Sequence, residues 1–352
     1  MIVIVDDGIE FKTMTLILAF ETSCDDTAVA LVRNGREVLA SNRMDQNTLH
    51  AKYGGIIPEE AARQHLVAIN PLLQQTLDEA KVHIDQIDGV AATLGPGLVG
   101  SLLVGVQVAK TLAFLWNKPF IAVNHLQAHI CSNYLGSELH PPFLCLLVSG
   151  GHTQLMRVDE HHQAHLIGET LDDAVGEAYD KLARILGLGF PGGPVVDRLA
   201  AQGNPKAYDL PIAVTKNPYD FSFSGLKTAA LRLFEKESLQ WQTDLEREEG
   251  VKNICASFQD AAVRALGKKV LRAAEAFELK TIAVCGGVSA NRGLRHYFEQ
   301  RQAQFNVYFP PMAYCTDNAA MVGSAAYFAP LSNNDGLEVF SRVAPSVVDS
   351  TK

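Results

Sequence analysis

Past the first few residues, the alternation of apolar and polar positions sets a repeated plan. In "LILAFETSCDDTAVALV" an apolar run, a polar knot and a second apolar run predict two paired strands. The turn between them holds Glu21, Thr22, Ser23, Asp25, Asp26 and Thr27. About halfway along the chain, "CLLVSGGHTQLMRV" repeats the pattern around Ser149, Gly150, Gly151, His152 and Thr153. Two similar hairpins imply two similar domains.

The segments after each hairpin support that reading. The first hairpin leads into a helical segment, "IPEEAARQHLVAINPLLQQTLDEA", a strand, "GVAATL", and a glycine turn into a helix. The second leads into "DDAVGEAYDKLARILGL", the loop "GFPGGP" and a long helix through "ICASFQDAAVRALGKKVLRAAEAF". Then comes "TIAVCGGVSANRGLRHYF", a strand entering a helix through two glycines. This succession predicts duplicated α/β domains with a ligand cleft between them and a hinge at "NYLGSELHPPF". The boundaries expected are 1–14 for an N-terminal extension, 15–140 and 141–345 for the two domains, and 346–352 for a tail.

The run "VAATLGPGLVGSLLVGVQVAKTLAFLW" is apolar enough to suggest a membrane span. Gly95, Pro96 and Gly97 break it early and Lys110 interrupts the rest, so it reads as a buried strand, a turn and a buried helix. The N-terminus lacks the basic region of a signal peptide. Six cysteines without a C-x-x-C pair fit reduced thiols and a cytoplasmic protein. With 352 residues, 47% of them hydrophobic, the chain can bury two cores. Its net charge of -9 argues against a generally basic nucleic-acid binder but leaves room for a local patch.

The chemistry concentrates at the turns. Gly150 and Gly151, with Ser149 and Thr153, make an amide nest suited to phosphate. Gly286 and Gly287, leading to Ser289, Ala290 and Asn291, offer a helix start for a nucleotide or anion. In "NHLQAH", His125 and His129 stand one helical turn apart, the spacing that chelates one metal ion. A zinc protease would need glutamate after the first histidine, where Leu126 stands, so that chemistry is disfavoured. A third ligand must come from elsewhere, and "CTDNAAMVG" offers Asp317. His161, His162 and His165, in "DEHHQAHL", read as a solvated turn.

Together these stretches resemble the TsaD (Gcp, YgjD) family, relatives of the Kae proteins. The resemblance rests on "FETSCDDTAVA", "HAKYGGIIPEEAARQH", "LGPGLVGSLLVG", "KTLAFLWNKPFIAVNHLQAHI", "LLVSGGHTQL", "DDAVGEAYDKLARILGLGFPGGPVVD", "DFSFSGLKTA", "CGGVSANRGLR" and "PMAYCTDNAAMVG", in the family's order. It implies the duplicated α/β fold of actin, Hsp70 and the sugar kinases. It also implies transfer of a threonylcarbamoyl group from threonylcarbamoyl-AMP to the N6 amine of the adenosine 3′ of the anticodon, in tRNAs reading codons that begin with A. By the same resemblance His125, His129 and Asp317 hold one divalent ion, iron or zinc. Leu147, Val148, Ser149, Gly150, Gly151, Asp180, Gly193, Asp197 and Asn291 contact the adenylate. TsaB-like and TsaE-like proteins are the implied partners, and a TsaC-type enzyme the source of the adenylate.

The adenine amine is a weak nucleophile, so a base should take its proton; Asp25 and Asp26 are the candidates. Lys52, Arg63, Lys227 and Arg232 are candidate tRNA contacts. The competing readings are a nucleotide-hydrolysing regulator of the same fold, which would not use the metal triad, and the disfavoured metallopeptidase.

Overall fold

The computed structural model describes residues 15–330 and 338–341 in full, and 3–5 and 8–10 as backbone strands. These last, β1 (Val3–Val5) and β2 (Gly8–Glu10), pair antiparallel as a separate sheet. The expected N-terminal extension otherwise lies outside the described residues, as does the expected tail.

The chain divides into two compact units, one ending at His140 and resuming at Asp317, the other running from Pro141 to Thr316. In the first, β3 (Leu16–Glu21), β4 (Thr27–Arg33) and β5 (Glu37–Met44) form an antiparallel meander. Beside β3 lie β6 (Gly89–Gly95) and β7 (Phe120–Asn124), both parallel to it, giving the order β5-β4-β3-β6-β7. Strands β3 and β6 are buried along their whole length, which explains why "LILAFE" and "GVAATLG" show little alternation.

The connections of this unit are α1 (Asn47–Ala51), α2 (Pro58–Ala80), α3 (Val99–Leu115) and α4 (His125–Cys131). Pro58 at the first turn of α2, with Glu59 and Glu60 beside it, suits a helix N-terminus, where a proline loses no hydrogen bond and acids meet the positive end of the dipole. The apolar run that mimics a membrane span is β6, a turn and the 17-residue α3. Among the described residues no helix is long and apolar enough to cross a membrane.

The second unit repeats the sheet. Strands β8 (Phe143–Val148), β9 (Thr153–Glu160) and β10 (Gln163–Glu169) form the meander. Strands β11 (Thr281–Cys285) and β12 (Asn306–Tyr308) run parallel to β8, in the order β10-β9-β8-β11-β12. The shared strand order is the duplication seen directly. Here the "DEHHQAHL" expectation needs correction: His161 and His162 form the turn, but His165 lies in β10, opposite Arg157. The helices of this unit are α5 (Val175–Ile185), α6 (Gly192–Ala200), α7 (Ser224–Ser238), α8 (Asp244–Ala276) and α9 (Arg292–Glu299). The long α8 begins with a capping box, in which the Thr243 hydroxyl accepts from Glu246 N and the Glu246 carboxylate accepts from Thr243 N.

The expected end of the second domain at residue 345 is also corrected. After Thr316 the chain returns to the first unit, where α10 (Ala319–Phe328) packs on β3 and β4. Its run "AAMVGSAA" is buried throughout, so it covers the sheet face that the rest of the unit would leave apolar and bare. A Cβ built at Gly323 would lie 2.6 Å from Val32 Cγ2 and 2.9 Å from Val32 Cβ, so this glycine sets how closely α10 approaches β4.

Gly323→Val should therefore destabilise the protein by about 1–3 kcal/mol through overpacking. Urea unfolding measures it. An unchanged midpoint would show that α10 can move away from β4 without loss.

Candidate active site

In the first unit the chemical groups gather where β3, β7 and the start of α10 end. Asn124 accepts from Leu126 N and Gln127 N, capping α4 and fixing where His125 and His129 emerge. Asn318 does the same for α10, accepting from Met321 N at 2.9 Å, which sets the position of Asp317 just before it. The result joins residues nearly two hundred positions apart. His125, His129 and Asp317 each present a ligand atom, all within 4.8 Å of one another.

Asp317 Oδ1 is 3.1 Å from His129 Nε2 and 3.7 Å from His125 Nε2, and the two rings stand edge to face. His129 is buried, yet neither ring nitrogen has a hydrogen-bond partner. Such an orphan is costly in a protein interior. Its Nε2 lies close to Asp317 without hydrogen-bond alignment, as befits two atoms that share a third partner. Two imidazoles and a carboxylate match the ligand preferences of zinc and of iron. These residues therefore fit a divalent metal ion.

One residue at this site is not singled out by the sequence pattern. Glu21, fully buried at the end of β3, places Oε2 3.2 Å from His125 Nδ1; Ser23 Oγ is also 3.2 Å from that nitrogen. The clue available is an acid ending an otherwise apolar strand. Burial disfavours the charged imidazole, but Asp317 and Glu21 outweigh it and push His125 up to about 9. Burial likewise opposes ionisation of Asp317, and His125 and His129 outweigh it, holding the carboxyl below the usual range.

The turn before β4 is clamped from several sides. Leu98 N donates to Ser23 O at 2.8 Å, and Gly105 N to Thr22 Oγ1 at 3.2 Å. His65, from α2, joins Thr27 Oγ1 at 2.7 Å and Cys24 O at 3.0 Å. Of the two candidate bases, Asp26 lies 3.5 Å from Arg43, but burial outweighs that cation and pushes the carboxyl up to about 8. At neutral pH burial thus favours its protonated form, so only the ionised form, which Arg43 supports, can take up a proton. Asp25 lies partly buried in the same turn.

The expected donor contacts all belong to the second unit. Ser149, Gly150 and Gly151 form the turn between β8 and β9, with Ser149 N donating to His152 O and His152 N to Ser149 Oγ. Gly150 and Gly151 are not required there by the backbone. Neither has a left-handed φ, and a Cβ at either would meet open space. The demanding glycines are their neighbours. A Cβ at Gly176, where α5 begins, would lie 2.5 Å from Ser149 O, and Gly286 combines a φ of 87° with direct contact against the Val148 carbonyl.

Asp180 accepts from Gly192 N at 2.8 Å and Gly193 N at 3.2 Å, holding the start of α6. Asp197 accepts from Arg292 N at 3.1 Å. Asn291 caps α9 through Leu294 N and donates to Gln259 Oε1 at 2.7 Å. Leu147 and Val148 end β8 as buried strand residues. Thus Asp180, Gly193, Asp197 and Asn291 surround the starts of α6 and α9, and Gln259 is an organiser that no sequence motif marks. Of the candidate tRNA contacts, Lys52, Arg63 and Arg232 are exposed; Lys52 lines a 330 Å³ cavity, Arg63 pairs with Glu59, and Lys227 pairs with Asp173.

Comparison with known proteins gives a consistent result. The family model for tRNA N6-adenosine threonylcarbamoyltransferases, TsaD, matches residues 37–324. The chain is 51% identical over 322 residues to the tRNA N6-adenosine threonylcarbamoyltransferase of Cyanothece sp. (strain PCC 7425 / ATCC 29141), covering 89% of this chain and 91% of that protein. It is 49% identical over 322 residues to the enzyme of that name from Crocosphaera subtropica, covering 89% and 92%. Among solved structures, full-length HypF in its phosphate- and nucleotide-bound form superimposes with a TM-score of 0.58 at 14% identity, over 90% of this chain and 46% of HypF. Component A of the Acidaminococcus fermentans (R)-2-hydroxyglutaryl-CoA dehydratase gives 0.50 at 13%, over 89% and 97%. At these identities the structures speak to the fold alone, the duplicated α/β fold of the actin and Hsp70 type.

The geometry leads to two expected outcomes. Gly176→Ala should lower the melting temperature while Gly151→Ala leaves it unchanged; equal losses in thermal melts would return the turn to being the strained element. Because a metal ligand must be deprotonated, zinc binding near pH 7.5 should release about one proton, and affinity should weaken as pH falls below the His125 value of about 9. Calorimetry in buffers of different ionisation enthalpy reads that release, and none at all would mean a neutral imidazole in the metal-free protein.

Proposed function

The chain belongs to the tRNA N6-adenosine threonylcarbamoyltransferase family, and on that footing we propose how its residues divide the work. It is a transferase that carries a threonylcarbamoyl group to the N6 amine of an adenosine in tRNA. The donor is threonylcarbamoyl-AMP, and the acceptor is the adenosine 3′ of the anticodon in tRNAs that read codons beginning with A. A TsaC-type enzyme supplies the donor, TsaB-like and TsaE-like proteins are the partners, and the cytoplasm is the setting.

In the transfer, the amine nitrogen attacks the carbamoyl carbon. A carbon–nitrogen bond forms, the bond from that carbon to the phosphate oxygen breaks, and AMP leaves with the electron pair. The donor is already activated, so the protein must orient it and meet the charge that develops. The exposed turn at Gly150 and Gly151 offers amides to the donor's anionic groups, and the start of α9, held by Asn291, adds the positive end of a helix dipole. His125, His129 and Asp317 would hold iron or zinc, which when bound supplies Lewis-acid polarisation and charge neutralisation for donor oxygens. The amine's surplus proton passes to a carboxylate, and Asp26 has the proton affinity for it.

The observation that carries the metal part is His129, buried with two unbonded ring nitrogens beside Asp317. Its experimental check is direct. Protein, tRNA lacking the modification, threonine, bicarbonate, ATP and the three proposed helper proteins are combined, and the digested tRNA is examined by mass spectrometry for the modified nucleoside. His129→Ala and Asp317→Ala should each lose bound metal and about 10²–10³-fold of the transfer rate, the order expected for several kcal/mol of charge stabilisation. Phosphate release without modified nucleoside would instead identify a nucleotide-hydrolysing regulator, and full metal content in both variants would remove the triad.

A further inference from the structure

We infer that Glu21 is a positioning residue for the metal centre: its buried carboxylate selects the His125 tautomer whose Nε2 lone pair faces His129 and Asp317. The inference rests on the reading of the triad as a metal site and adds a residue outside it. It begins from a conflict at one atom. His125 Nδ1 has two neighbours at the same 3.2 Å distance, Glu21 Oε2 and Ser23 Oγ. A hydroxyl can donate to that nitrogen, which would put the ring proton on Nε2, the side facing Asp317 and His129. A carboxylate can only accept. With Glu21 in place Nδ1 keeps its proton, so Nε2 is the nitrogen that gives one up and turns a lone pair to an ion, the arrangement that outer carboxylates impose on metal-binding histidines.

The remaining contacts of Glu21 fix the carboxylate rather than consume it. Oε1 accepts from Ser23 N at 2.6 Å, and Oε2 accepts from Thr93 Oγ1 at 2.6 Å, both inside the core. Thr93 lies on β6, the parallel neighbour of β3, so the acid is held between two central strands. The backbone amide of Ser23 can only donate, which requires an acceptor at the Oε1 position. An amide side chain at residue 21 would therefore turn its oxygen to Ser23 N and its NH2 toward His125 Nδ1. That isosteric change reverses the tautomer while filling the same space.

The test uses the full chain, zinc as the probe ion, and a chromophoric chelator competing for it. Glu21→Gln should weaken zinc binding about 10- to 100-fold, with Ser23→Ala close to the parent because the carboxylate is untouched. Thermal melts of the metal-free proteins run in parallel, so that affinity is read per folded molecule. If Glu21→Gln does not fold, Thr93→Val serves instead, since it frees the carboxylate oxygen that faces His125, and a several-fold loss is expected. Unchanged zinc affinity in the folded Glu21→Gln protein, or in Thr93→Val where that is the variant tested, overturns the inference while leaving the triad standing, provided His129→Ala still lowers affinity. A parent protein whose zinc binding is absent or indifferent to His129→Ala overturns both.

Discussion

The closeness with which neighbouring backbones pass at the first hairpin of each unit governs everything chemical in this chain. In the first unit, a Cβ at Gly97 would stand 2.5 Å from Ser23 O, and one at Gly105 would stand 2.5 Å from Thr22 Oγ1. In the second, Gly176 and Gly286 play the same part against Ser149 and Val148. Each hairpin tip is thus met by a neighbouring helix or turn at a residue that has no side chain at the point of approach. Parallel strands deliver their carboxyl ends to one edge of a sheet, which is where ligands of α/β proteins bind. Glycine lets the turns at that edge crowd together, so groups from distant segments can share one small volume.

At the first of these edges the crowding concentrates charge. Glu21, Asp317, His125 and His129 lie in one largely buried cluster, and burying such groups is costly unless each is paired. The cluster meets that demand unevenly. Glu21 is paired with Ser23 N, Thr93 Oγ1 and His125, whereas His129 is left without a hydrogen bond. A fold selected for stability alone would tend to remove the orphan. Beside a carboxylate and a second imidazole, the orphan is the feature that the metal proposed above would account for.

Much of this is legible in the sequence, for identifiable reasons. The two hairpins announce themselves because their strands are continuous apolar runs broken by polar knots, and the HxxxH spacing needs only local helix geometry. His165 misleads because "QAHLIGE" is an edge strand, where exposure blurs the apolar pattern that marks central strands. The return of α10 to the first unit is hidden because long-range packing leaves no local trace; an apolar helix reads the same whichever sheet it covers. Glu21 reads only as a turn residue, since no spacing rule ties an acid on β3 to a histidine a hundred residues later.

The second unit shows why residue identity and residue role come apart. Asp180, Asp197 and Asn291, expected from the sequence to contact the adenylate, are each already engaged with the protein's own amides. The two roles are compatible because a carboxylate has more acceptor sites than those bonds use. Asp180, for example, binds Gly192 N and Gly193 N through Oδ1 alone. Holding helix starts with such side chains fixes the direction of the positive end of each dipole before any ligand arrives. Little reorganisation is then left for the moment of binding, which is the condition under which fixed dipoles stabilise developing charge most effectively.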